Sequence, residues 1–186
     1  TRRSSDLLNN PAVHTPNLDR LAARGVHFTH CFNQGSWSGA VCICSRAMLN
    51  TGMHLYHARE HIGDAPLWGE TLGNAGYTTF LTGKWHNGNA TALRSFQIGK
   101  AVGRGMYGAG KLAYERPKAG NPWTPWEPKY GGHWEPTVWD IVKEAGGEHK
   151  AGKPYTARTH TSELYADHAV EFLRRRDRQD GKPFFA

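Results

Sequence analysis

The sequence predicts an α/β fold, and three observations carry that reading. A helix signal, a glycine stop and a strand signal follow one another twice within residues 1–98, the order that stacks helices on a sheet. A length of 186 residues suits one domain or a piece of one. Hydrophobic residues make up 38%, enough for a modest core and too many for a disordered chain.

Thr15-Pro16 opens the first helix, with Thr15 able to cap and Pro16 suited to the first helical position. Leu18, Leu21 and Ala22 should form its buried stripe, and Gly25 should end it. Residues 26–32 set Val26, Phe28 and His30 against His27, Thr29 and Cys31, which predicts a short strand. Residues 36–40 read as a loop of small residues. A helix is expected over 45–51, closed by Gly52, and another over 67–74, closed by Gly76. Residues 77–82 (Y-T-T-F-L-T) are rich in β-formers and should be a strand leading into Gly83-Lys84-Trp85-His86.

Residues 99–160 hold half of the glycines and four of the seven tryptophans, Trp123, Trp126, Trp134 and Trp139. No period survives there, so a long surface excursion is expected, partly ordered by its tryptophans. Over 162–176, Tyr165, Ala169, Phe172 and Leu173 share one helical face. Asp180-Gly181 should break that helix, and residues 182–186 read as the start of a buried strand. With Thr1 in place of an initiator Met, the boundaries are those expected of a fragment.

The chain carries 23 basic and 16 acidic residues, a net charge of +7. That balance suits an anionic partner such as sulfate, phosphate, an acidic glycan or nucleic acid. No apolar run is long enough for a membrane span, and no export signal is visible. Three cysteines (Cys31, Cys42, Cys44) are too few and too odd in number for a disulfide framework.

Several motifs fail on context. Gly103–Gly108 matches G-x-G-x-x-G, but Gly110 and Pro117 leave no room for the helix that should follow. Gly105 to Lys111 matches a phosphate loop until Leu112, which offers no hydroxyl. His57 to His61 matches H-x-x-E-H, yet Gly63 and Pro66 cut such a helix short. Cys31, Cys42 and Cys44 with His30 lack the paired spacing of a structural zinc site. Arg174, Arg175, Arg176 and Arg178 suit a solvated helix end, where cations offset the dipole, better than a nucleic-acid contact.

The segment Cys42-Ile43-Cys44-Ser45-Arg46-Ala47-Met48-Leu49-Asn50-Thr51-Gly52 is different. It places Cys42 in a small-residue loop just before a short helix, with Arg46 beside it. Free N–H groups, the positive helix pole and a guanidinium all favour an anion there, thiolate or oxyanion. A cysteine merely packed under the helix is the bland alternative.

The wider pattern resembles the sulfatase family. That family's C-x-P-S-R…T-G signature is met in register by Cys42, Ser45, Arg46, Thr51 and Gly52. His14-Thr15-Pro16-Asn17-Leu18-Asp19-Arg20-Leu21-Ala22 is similar to its T-P-N-L-D-x-L-A helix, and Gly83-Lys84-Trp85-His86 to its G-K-W-H. The resemblance implies part of an alkaline-phosphatase-like three-layer fold with a central, mostly parallel sheet. It makes residues 1–186 a partial catalytic domain, with 99–160 as the long excursion.

The resemblance also implies a reaction. Cys42 would be oxidised to formylglycine by a formylglycine-generating enzyme. A hydroxyl of the hydrated aldehyde, bound to a divalent cation (usually Ca²⁺), would attack sulfur and displace the alcohol. The second hydroxyl would then expel sulfate. Arg46 would steady the hydrate, Lys84 would bind a sulfate oxygen, His86 would contact the hydrate and take its proton, and Ser45 would support the loop. Cys42, as formylglycine, would be a metal ligand. The other ligands are expected outside residues 1–186, because Asp6 is single and follows no apolar strand. These residues alone are therefore expected to be inactive.

The substrate implied is a sulfated small molecule or glycan, with no nucleic acid, and a periplasmic or extracellular site fits many relatives. One departure is Cys44, which stands where the family usually has Pro and bears on whether Cys42 is converted or pairs with its neighbour. Alternatives within the resemblance are a phosphonate monoester or phosphodiester hydrolase and an inactive relative. The tryptophans of 121–139 would either wall the substrate pocket or form a satellite apolar cluster.

Overall fold

Strand β1 (Thr78–Lys84) forms where a helix stops on glycine. Helix α4 (Trp68–Asn74) ends at Gly76, whose φ of +92° reverses the chain into the strand. The Glu70 carboxylate accepts the Leu67 N–H at 3.3 Å and pairs with Arg94 at 3.1 Å, which holds the entry to α4. The coordinates are a computed structural model that describes residues 14–39, 41–103, 133, 136–176 and 181–186. Two compact units divide the chain, residues 1–33 and residues 34–186.

In the first unit, α1 (Pro16–Ala22) begins at the expected proline. Thr15 does not cap it by side chain; its Oγ1 donates to Asp19 Oδ1 at 3.0 Å instead. The expected stripe is not buried, with Leu18 52% and Leu21 69% exposed. Residues 26–32 form no strand, and Val26, Phe28 and Phe32 stand exposed. Alternation alone makes no strand: the ladder needs a neighbour to accept its hydrogen bonds.

The second unit is built on a six-stranded mixed sheet. After β1 come α5 (Asn89–Ser95) and β2 (Ile98–Gly103), then β3 (Thr137–Lys143), β4 (His149–Ala151) and β5 (Tyr155–Thr156). Helix α6 (Thr161–Arg176) leads to β6 (Phe184–Phe185). The order is β4-β3-β2-β1-β6, with β5 also on β3. β1 runs parallel to β2 and β6, while β3 pairs antiparallel with β2, β4 and β5. Within the stretch 99–160 lie most of β2 and all of β3, β4 and β5. Trp139 is a core residue at 5% exposure, and Trp123, Trp126 and Trp134 lie outside the described residues. So do residues 104–132, which carry most of the two glycine motifs.

Helices cover both faces of β1. Phe80 stacks on Phe172 of α6 at 4.3 Å. Leu81, of opposite parity, packs with Leu67, Trp85, Ala92, Phe96, Val102, Trp139 and Ile141 in the main core. Two further helices, α2 (Val41–Thr51) and α3 (Leu55–His61), precede α4. Among the described residues no helix is long and apolar enough to cross a membrane.

Candidate active site

Helix α2 starts at Val41, four residues before the expected start, so Cys42 sits in the first helical turn and not in a loop ahead of it. Packing overrides the weak helix preference of Val and Ile here: Cys44, Ala47 and Asn50 bury one stripe. Cys42 and Arg46, one turn apart, share a neighbouring half-buried face. Thr51 Oγ1 donates to the Ala47 carbonyl at 2.8 Å and Gly52 turns at φ +69°, which closes the helix as expected.

The second half of the site comes from the end of β1. A bulge between Thr82 and Gly83 interrupts the β1–β2 register, and Gly83 takes φ +91° under the ring of Tyr165. A Cβ there would lie 3.5 Å from Tyr165 Cδ2. Past the strand, Trp85 is anchored twice: its N–H donates to the Gly103 carbonyl at 3.0 Å and its Nε1 to Thr91 Oγ1 at 2.7 Å. His86 follows in the left-handed region at φ +71°, a conformation uncommon outside glycine and concentrated at functional sites.

These two pieces meet at Cys42. Lys84 Nζ donates to Cys42 Sγ at 3.2 Å, and His86 Nδ1 lies 3.4 Å from the same sulfur. Arg46 Nε donates to the Lys84 carbonyl at 3.1 Å and Nη1 to the Cys42 carbonyl at 3.3 Å. Asn50 Nδ2 donates to the Arg46 carbonyl at 2.7 Å. All four expected site residues, Cys42, Arg46, Lys84 and His86, therefore converge. Ser45 is exposed on α2 and joins none of these contacts.

The electrostatics follow from the cations. Burial pushes the Cys42 thiol up, but the Lys84 ammonium and the N–H groups of Cys42 and Ile43 outweigh it and leave the thiol below its ordinary value. Burial, then Lys84 and Arg46, push His86 below the ordinary imidazole range. The same cations thus favour the thiolate of Cys42 and the neutral form of His86.

No disulfide joins Cys31, Cys42 and Cys44. Cys44 lies fully buried with Sγ 3.1 Å from Ser36 Oγ, and forms no disulfide with Cys42. Among the described residues no three of His, Cys, Asp and Glu gather as a metal site. That covers His57, Glu60 and His61 on α3, and His30 with the cysteines. A Ca²⁺ ion takes roughly six to eight oxygens, and the described residues do not supply them.

Trp139, one of the tryptophans expected to wall a pocket or to form an apolar cluster, lines a cavity and sits in the core, on a strand that the sequence reading missed. A cavity of about 320 Å³ opens beside His86, lined by Trp85, Gly88, Asn89, Val102, Gly103 and Trp139. The run Thr137-Val138-Trp139-Asp140-Ile141-Val142 is a β-former signal, which the surrounding glycines and prolines obscure.

The chain is similar to known proteins along its whole length. The family model described as Sulfatase matches residues 2–186. An N-acetylglucosamine-6-O-sulfatase of Bacteroides thetaiotaomicron is 26% identical over 92% of this chain and 25% of its own. An arylsulfatase of Clostridium perfringens is 28% identical over 95% of this chain and 37% of its own. The N-acetylgalactosamine-6-sulfatase of Homo sapiens is 32% identical over 48% of this chain and 20% of its own. The chain thus spans well under half the length of these relatives.

Proposed function

This chain belongs to the sulfatase family, and on that premise we propose that it is the nucleophile-bearing portion of a sulfuric ester hydrolase. The observation that carries the proposal is the convergence of Lys84 Nζ and His86 Nδ1 on Cys42 Sγ, at 3.2 and 3.4 Å. Residues 1–186 are read as part of a larger catalytic domain. The names of two relatives, both 6-sulfatases of N-acetylhexosamines, support a 6-sulfated amino sugar as substrate.

Cys42 is the residue we expect to be oxidised to formylglycine, by a formylglycine-generating enzyme. The hydrated aldehyde would supply an oxygen nucleophile near the present Sγ position and a second hydroxyl through which sulfate can leave. Lys84 would hold the transferring sulfuryl group as a point charge. Arg46 would fix the Lys84 and Cys42 backbones against each other, so that this charge is aimed before substrate arrives. His86, kept neutral by burial and by the two cations, would take a proton at Nδ1. The divalent cation implied by the family has no cage among the described residues, so the charge stabilisation derived for this chain rests on Lys84 and Arg46.

The test uses the full-length protein from its native host. The mass of the peptide containing residue 42 should report an aldehyde. N-acetylgalactosamine 6-sulfate should be hydrolysed faster than a phosphodiester or phosphonate monoester, and Cys42→Ala should abolish turnover. An intact thiol with no turnover would favour an inactive relative, and faster phosphodiester turnover would favour the other hydrolase class.

A further inference from the structure

We infer that Asp140 is a positioning residue for the reaction: by latching a bulge at Ala101 it sets the strand register that seats Lys84 and His86 against Cys42. This rests on the sulfate-ester reading above. Ala101 is the extra residue of β2 in two ladders at once. Against β1, Thr82 faces Lys100 and Gly83 faces Val102, so the register skips Ala101. Against β3, Gly99 faces Ile141 and Val102 faces Trp139, so Lys100 and Ala101 together oppose Asp140. Two residues opposite one is the arrangement of a β-bulge. Without the extra residue, Val102 instead of Gly103 would stand opposite Lys84. Every later side chain of β2 would then turn to the other face, the buried Val102 of the core among them.

Asp140 holds the bulge from β3. Ala101 is fully buried at φ +49°, a left-handed conformation uncommon outside glycine. Its N–H donates to Asp140 Oδ1 at 2.9 Å, and the neighbouring Lys100 Nζ donates to Oδ2 at 2.8 Å. One carboxylate thus grips both residues of the bulge. The Tyr155 hydroxyl donates to the same Oδ1 at 3.0 Å from β5 and fixes the carboxylate in turn. The register set there reaches the site at Gly103. That residue pairs with Lys84, and its carbonyl accepts the Trp85 N–H at 3.0 Å. Trp85 stands between Lys84 and His86, whose Nζ and Nδ1 lie 3.2 and 3.4 Å from Cys42 Sγ. A misplacement of about 1 Å in such a site can cost about a hundredfold in rate, so a residue that acts only through Ala101 and Gly103 can govern turnover.

The test uses the full-length protein in two forms. The converted form reports turnover; the unconverted form, made in a host lacking the formylglycine-generating enzyme, reports the Cys42 thiol. Asp140→Leu keeps the side-chain size and removes the acceptor. It should lower kcat by about ten- to a hundredfold with KM moved far less, and raise the pH midpoint of Cys42 alkylation as Lys84 draws away. Loss of a negative charge alone would move that midpoint down, so the sign separates displacement from electrostatics. Asp140→Asn keeps an oxygen for the Ala101 N–H and should hold both values near those of the parent. Ala101→Gly in the Asp140→Leu background should restore both, because glycine adopts positive φ without a latch. An unchanged kcat in folded Asp140→Leu overturns the inference, as does a midpoint that stays or falls. So does an equal loss in Asp140→Asn, or a double variant that stays impaired. If Asp140→Leu does not fold, the double variant decides: a restored fold and site support the inference, and loss of either overturns it. A parent that hydrolyses no sulfate ester would instead sink the underlying reading, and the alkylation midpoints would still report on the latch.

Discussion

Arg46 reaches from α2 to the end of β1, and its Nε donates to the Lys84 carbonyl at 3.1 Å. A second bond from Nη1 to the Cys42 carbonyl makes the guanidinium a spacer between the two halves of the site. Lysine cannot replace it, because a single ammonium lacks the planar fork. Arg46→Lys should cost about 1–3 kcal/mol in urea unfolding and lower kcat more than it raises KM.

The thiol form of Cys42 gives a direct reading of the local charge. Lys84 holds that thiol down against burial, so Lys84→Met should move its alkylation midpoint to higher pH. The same change should raise the His86 titration, since Lys84 depresses that imidazole. In the intact site the folded value of His86 lies below the unfolded one, about 6.5. Its contribution to stability is therefore full above that value and is lost as pH falls through the lower folded one. NMR titration of His86 in both proteins checks the direction.

Asp140 anchors the irregular middle of β2. Its carboxylate accepts Lys100 Nζ at 2.8 Å, the Ala101 N–H at 2.9 Å and the Tyr155 hydroxyl at 3.0 Å. Ala101 sits at φ +49°, within the register break of β2 against β3. Burial and Asp140 together push the Tyr155 phenol up to about 12. Asp140→Asn should bring the Tyr155 absorbance titration down toward its ordinary value and cost about 1–3 kcal/mol.

Gly69 marks the closest approach of α4 to the end of α5. A Cβ there would lie 2.7 Å from the Ser95 carbonyl oxygen, and backbone cannot step aside. Gly69→Ala should destabilise the fold by about 1–3 kcal/mol. Gly63→Ala meets nothing within 4 Å and should change the thermal midpoint little.

What could be read beforehand depended on how local each signal was. Helix α4 stops on glycine, and helix α6 and strand β1 carry their own residue patterns, so Gly76 and Phe172 were legible. Cys42, Arg46, Lys84 and His86 were legible as a set because two short motifs fix their register. The start of α2 was not, because Cys44 and Ala47 make it a helix through packing. Strands β2 to β5 were hidden because averaging over a glycine-rich stretch hid Thr137–Lys143. Trp139 reaches the site only through the pairing of Val102 with Trp139, which no local window contains. Residues 26–32 show the reverse case, a strand pattern without a ladder.

The dipeptide β6 touches both helical layers at once. Phe184 meets Phe172 of α6 at 5.6 Å, while Phe185 meets Trp68 of α4 at 5.6 Å and Phe96 at 6.1 Å. Two adjacent rings thus rivet opposite sides of the molecule through a single pair of backbone ladders to Thr78 and Thr79. Loosening on one side should be felt on the other, so amide protons of α4 and α6 are expected to exchange with solvent as one cooperative block.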